Sequence, residues 1–140
     1  MRAILAVIAG VIAGMAAMMA VSYFGDMLFP TPPAQVAGGA IERATAAFAN
    51  TPLQMRLCLV LAWFVGGAVA GIVAKLIVRD GRIAWTAIAI LTALTAVNIF
   101  ILPYPVWMEI ANILAPLLGG LVGNHLVATR PDAPAPTAEG

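Results

Sequence analysis

Asp26, Arg56, Asn98, Glu109 and Asn112 are the side chains of this sequence that could do chemistry together. Each stands inside or at the edge of a long apolar run. Two carboxyl groups in a dry setting have the residue types for proton transfer. Burial raises a carboxyl pKa and a neighbouring guanidinium lowers it, so the two can be pushed apart. An amide and a carboxylate on one helix face could instead line a path for a small solute or ion. Glu109 and Asn112 are three residues apart and share such a face. It continues through Pro116, Gly119, Gly120 and Gly123. Catalysis finds less support. No His or Ser stands beside Asp26 or Glu109, and there is no P-loop, GxSxG, GxGxxG before a strand, or metal-ligand spacing. An enzyme is not expected, and no cofactor or metal is implied. Cys58 lies in an apolar run, has no second cysteine to pair with, and reads as a small buried hydrophobe. Met15, Met18, Met19, Met27, Met55 and Met108 repeat no ligand pattern and read as flexible packing.

The elements that must position these residues follow from composition. Of 140 residues, 63% are hydrophobic and 9% charged, and the mean hydropathy is +1.02. A soluble domain carries about 25% charged residues. A chain this small has too little interior to hide so much apolar surface, so the lipid bilayer is the expected solvent and partner. The net charge is +1 and the seven basic residues form no run, so nucleic acid is not an expected partner.

A spanning helix needs about 20 apolar residues. Four candidates stand out: Ala3–Phe24, Leu53–Val78, Ile83–Leu102 and Val106–Ala128. The first apolar run is longer than that of a signal peptide, about 7–15 residues, and is expected to stay in the protein as a helix. Arg2, Lys75, Arg79, Arg82 and Arg130 fall on one side if the spans alternate, and Arg43 and Arg56 on the other. The basic-rich side is expected to be cytoplasmic, with both termini inside. The expected fold is all-α, an integral membrane four-helix bundle over 1–129. An outer loop over 25–52 has a short helix about 39–49, with Ile41, Thr45 and Phe48 on one face. That helix could lie in the interface or be an ordinary loop helix. The Ala/Pro-rich tail 130–140 is expected to be disordered. Asp80-Gly81 marks a tight inner turn. In "NTPLQ", Thr51 is expected to cap the second span, with Pro52 at its first position and Gln54 at the capping-box position.

Small residues set the packing. Gly10 and Gly14, Gly67 and Gly71, and Gly119 and Gly123 form three GxxxG pairs. Without a hydrophobic force between helices in lipid, such pairs allow the close backbone approach that holds a bundle together. They are also free to serve a homo-oligomer or a larger membrane complex. "LAWFVGGAV" (Leu61–Val69) matches "LAPLLGGLV" (Leu114–Val122) at Leu, Ala, Gly, Gly and Val. This is either a duplication, giving two parallel-repeat hairpins, or a coincidence between apolar helices.

At about 1.5 Å per residue, Asn98 and Glu109 lie roughly 6–8 Å from the same outer turn. Arg56 lies at similar depth and Asp26 ends the first helix on that side. Two readings of the cluster stand side by side. In one, ion pairs and amides neutralise Arg56 and pin the helix ends. In the other, Asp26, Arg56, Asn98, Glu109 and Asn112 line an outward-facing polar pocket, with Glu109 its ionisable member. At the other end, Lys75, Arg79, Arg82 and Arg130 are expected to reach inner-leaflet phosphates. His125 reads as an interfacial or capping residue. Tyr104 and Trp107, beside Pro103 and Pro105, suit the headgroup level; Trp63 lies deep for such a belt.

Three segments, "YFGDMLFPTPP" (Tyr23–Pro33), "FANTPLQMRLCLVLAWFVGGAVAG" (Phe48–Gly71) and "NIFILPYPVWMEIANILAPLLG" (Asn98–Gly119), together resemble a group of small four-span bacterial inner-membrane proteins of uncharacterised function. The resemblance covers most of the chain outside the tail. It implies a multi-pass topology in the bacterial inner membrane and no particular reaction. In that group a histidine often stands where Asp26 and Tyr104 stand here, so a site built on those imidazoles does not carry over. The expected role is a non-enzymatic structural or accessory membrane component. The rival is a small solute or ion carrier or channel, working as an oligomer through the outer polar site.

Overall fold

The computed structural model describes residues 1–30, 39–101 and 104–127, with the backbone alone at Asn98. Its elements are α1 (Arg2–Leu28), α2 (Ala40–Ala49), α3 (Leu53–Val78), α4 (Gly81–Ile101) and α5 (Val106–Leu126). All but α2 are long and apolar enough to cross a membrane. The expected spans over α3 and the start of α5 coincide with these bounds. α1 runs further than expected, past Phe24 to Leu28, because the next helix-breaking residue is Pro30. Leu102, Pro103, Ala128, Arg130 and the tail 130–140 lie outside the described residues, as does the segment 31–38.

The junction between α2 and α3 differs from the expected capping. Pro52, with φ −62° and ψ 152°, is the cap residue of α3, and Leu53 is its first helical residue. The Thr51 hydroxyl instead donates to the Ala47 carbonyl at 3.1 Å. A carbonyl at the end of α2 thus takes the side chain expected to serve α3. The turn between α3 and α4 also differs. Arg79, not Gly81, has the positive φ, 57°. Its N–H donates to the Lys75 carbonyl at 2.6 Å and closes α3. Asp80 then accepts the Arg82 N–H at 2.8 Å and starts α4.

α3 is the centre of the bundle, packed on α1, α4 and α5. α1 and α3 run antiparallel, and their contact is made of small residues. A Cβ built on Gly14 would lie 2.7 Å from the Gly66 carbonyl oxygen, and one on Gly10 would lie 2.8 Å from that of Ala70. Both are tighter than any side chain tolerates. α3 and α5 run parallel and cross still closer. A Cβ on Gly67 would overlap the Pro116 carbonyl, one on Gly119 that of Phe64, and one on Gly123 that of Ala68. Gly71 lies against the Gly120 carbonyl. All six glycines of the GxxxG pairs are buried.

The α3–α5 crossing has a local twofold relation. One shift carries Gly67 onto Gly119, Gly71 onto Gly123, Phe64 onto Pro116 and Ala68 onto Gly120, and it maps the observed contacts onto one another. The sequence match aligns Gly67 with Gly120, one residue further along. The relation does not extend to the other helices: α4 packs on both α3 and α5, whereas α1 packs on α3 and α4 without a comparable contact to α5. Both Gly-Gly segments serve the close approach at the crossing.

α4 closes the bundle with Ala84, Ala87, Ile88, Leu91, Thr92 and Thr95 buried. The two threonines can be buried because each hydroxyl is satisfied within the helix. Thr92 donates to the Ile88 carbonyl at 2.8 Å and Thr95 to the Thr92 carbonyl at 2.9 Å.

Candidate functional site

Of the five residues of the expected cluster, the four whose side chains are described do not form one network. Among the described residues, Arg56 makes its contacts with α2 and forms no ion pair. Its Nη2 donates to the Phe48 and Ala49 carbonyls, each at 3.3 Å. These are among the last carbonyls of α2, which lack partners within the helix and carry its partial negative charge. The guanidinium also stands over the Phe48 ring, 5.2 Å from its centroid. Arg56 therefore pins α2 to the bundle. Asp26 is exposed at the end of α1. It borders a cavity of about 270 Å³ with Phe48, Thr51 and Met55, but without Arg56, Glu109 or Asn112. Glu109 is half-buried in the first turn of α5, where the helix dipole favours a carboxylate. The side chain of Asn98 lies outside the described residues.

The aromatic residues at this end form a stack. Tyr104 meets Phe48 edge-on at 4.7 Å and Trp63 edge-on at 5.9 Å. Trp63 and Phe48 are buried with Met108 and Ala115 in one apolar cluster. Tyr104, expected at the headgroup level, is thus turned inward. Burial pushes its phenol above the ordinary value of 10.0, so it stays neutral at physiological pH. Trp107 is exposed and lines an apolar groove of about 510 Å³ between α3 and α5.

Asn112 is the most unusual side chain of the set. It is fully buried, and neither its amide nitrogen nor its amide oxygen has a hydrogen-bond partner. Pro116, four residues on, has no N–H, so the Asn112 carbonyl lacks its ordinary helical partner as well. Gly120 packs on Ile88. Counting back along these two antiparallel helices at about 1.5 Å per residue puts Asn112 level with Ala96, one residue beyond Thr95. A buried unsatisfied amide costs about 1–3 kcal/mol. Among the described cavities, none is lined by Asn112.

At the opposite end the structure shows a polar contact that the expected ring of phosphate-binding cations did not include. Lys75 is 5% exposed, and its Nζ donates to the Asn124 backbone carbonyl. It is corrected from a lipid-facing cation to an internal one. The signal was present in the spacing: Lys75 follows Gly67 and Gly71 at intervals of one helical turn, so it shares their face towards α5. An ammonium among the last carbonyls of α5 is placed where the helix dipole favours it. Arg79 and Arg82 are exposed. His125 is exposed in the last turn of α5.

Chemically, Arg56 and Lys75 hold helices together. Among the described residues, no group of three His, Cys, Asp or Glu side chains could hold a metal ion. No family model, curated protein or solved structure matches the chain.

Proposed function

We propose that this protein is a non-enzymatic integral membrane protein of the bacterial inner membrane, with both termini cytoplasmic, acting as a structural or accessory component of a larger assembly. The observation that carries the reading is the glycine crossing of α3 on both α1 and α5. Backbone meets backbone there, which leaves no room for a path along the bundle axis. The polar groups fit the same role: Arg56 holds α2 and Lys75 holds the end of α5. α1 offers surface for a partner, since it buries only Ala6, Gly10, Gly14 and Gly25. The excess of Lys and Arg at the Arg2 end supports the orientation, and the resemblance to small four-span proteins supports the compartment. Crosslinking in native membranes followed by mass spectrometry tests the role. Reproducible links from this chain to one membrane protein support it. Links scattered in proportion to protein abundance count against it.

A second reading, a small solute or ion carrier acting as an oligomer, is favoured by two observations. Asn112 is buried with its amide uncommitted, and Glu109 is not neutralised by Arg56. On this reading Asn98, Glu109 and Arg56 line the approach to Asn112. Glu109→Gln separates the two. Loss of a proteoliposome flux with unchanged stability supports a carrier. Absence of flux in the wild-type protein over a panel of ions and small solutes sinks it.

A further inference from the structure

We propose that the cleft between Arg2, at the start of α1, and Arg79, at the end of α3, binds the phosphate of an anionic glycerophospholipid. The cleft has a volume of about 420 Å³ and is lined by Arg2, Leu76, Ile77, Val78 and Arg79. It holds two guanidinium groups and no carboxylate. Two neighbouring charged side chains are engaged elsewhere. Asp80, the next residue in the chain, gives Oδ1 to the Arg82 N–H of α4. Lys75, one turn back on α3, is buried and gives its ammonium to Asn124. The guanidinium fork matches phosphate oxygens two at a time. The first turn of α1 adds backbone N–H groups without helical partners, a setting that favours an anion. The end of α3 opposes it, because its last carbonyls carry partial negative charge. The two arginines must outweigh that effect.

The backbone at Arg79 is the second line of argument. Its φ of 57° is a conformation that glycine adopts freely and a residue with a Cβ adopts at a cost. An arginine held there points to a use for its side chain. The apolar part of the cleft favours a lipid over a soluble phosphate. Leu76 and Ile77 are 58% and 45% exposed on α3, and Ile4 and Leu5 are 66% and 60% exposed on α1. Leu76 and Ile77 line the cleft, and with Ile4 and Leu5 in the first turn of α1 they offer apolar surface along which acyl chains can lie. The inference does not depend on the accessory reading.

The test uses the full chain in neutral-detergent micelles. Native mass spectrometry and thermal unfolding are followed with added phosphatidylglycerol, phosphatidylcholine or inorganic phosphate. The double variant Arg2→Gln/Arg79→Gly removes both guanidinium groups, and its glycine relaxes the backbone, so it is expected to fold. Arg82→Gln, outside the cleft, is the control. The wild-type protein is expected to retain and be stabilised by phosphatidylglycerol in preference to phosphatidylcholine. The double variant should bind it at least about tenfold more weakly, and the control within about twofold of the wild type. Inorganic phosphate stabilising the wild type alone, without preference for phosphatidylglycerol, would keep the phosphate site and overturn the lipid. Equal binding by the double variant, equal loss in Arg82→Gln, or no preference for an anion of either kind would overturn the proposal.

Discussion

Gly67→Ala and Gly119→Ala are expected to loosen the bundle strongly, and Gly71→Ala weakly. At Gly67 the added carbon would sit 2.7 Å from both the carbonyl carbon and the Cα of Pro116. At Gly119 it would sit 2.8 Å from the Phe64 carbonyl carbon. Carbon atoms in contact prefer about 3.5–4.0 Å, so α5 must retreat from α3 by about 1 Å at either site. The obstacle is backbone and cannot rotate aside. Overpacking of this kind costs about 1–3 kcal/mol, and the upper half of that range is expected here. At Gly71 the nearest atom is the Gly120 carbonyl oxygen at 3.1 Å, followed by the Ile88 Cδ1 at 3.2 Å. A shift of a few tenths of an ångström suffices, and the cost should stay under about 1 kcal/mol. The gain in helix propensity from Gly to Ala, about 1 kcal/mol in water, should largely cancel, because the helices persist when a bundle comes apart in detergent. Reversible unfolding in mixed micelles by increasing dodecyl sulfate, followed by tryptophan fluorescence, reads the difference; Trp63, buried, and Trp107, exposed in the groove between α3 and α5, serve as probes. If Gly67→Ala and Gly119→Ala both fall within about 0.5 kcal/mol of the wild type, the helices do not cross this closely and the argument for a closed bundle fails.

Three further perturbations probe the polar groups. Asn112→Leu is expected to be neutral or stabilising by up to about 3 kcal/mol, since it removes an unpartnered buried amide; a loss above about 1 kcal/mol in the same titration would show that the amide has a partner. Arg56→Leu should abolish the protection of the Ala40–Ala49 amides in hydrogen exchange while leaving the four-helix core within about 1 kcal/mol of the wild type; retained protection would show that α2 is held by Phe48 packing alone. Lys75→Met should cost about 1–2 kcal/mol by leaving the Asn124 carbonyl without a donor; a more stable variant would mean that desolvation of the ammonium outweighs its bond.

The helices were legible because lipid makes apolar length the governing signal, and both Pro52 before α3 and Pro105 before α5 mark their starts. The glycine faces were legible because spacing by one helical turn fixes which residues share a side. What spacing could not show is which partner each face meets. Depth in the sequence points Arg56 to a carboxylate, but it donates to the Phe48 and Ala49 carbonyls at the end of α2, a short helix whose Phe48 packs against Tyr104 and in one cluster with Trp63. Nearness to the end of a span points Lys75 to lipid, whereas its position in the Gly67–Gly71 series points it to α5. Depth alone placed Asp26, Asn98, Glu109 and Arg56 at one end of the bundle. Depth carries no information on azimuth, and so does not show that Arg56 meets α2.

The most direct test of the account is the topology of the chain in the membrane. Reporters that are active on one side only, a fluorescent protein for the cytoplasm and alkaline phosphatase for the exterior, are fused in turn at Gly140 and within the loop at Gln35. The account predicts fluorescence at Gly140 and phosphatase activity at Gln35, as four spans with both ends inside require. Phosphatase activity at Gly140 would contradict it.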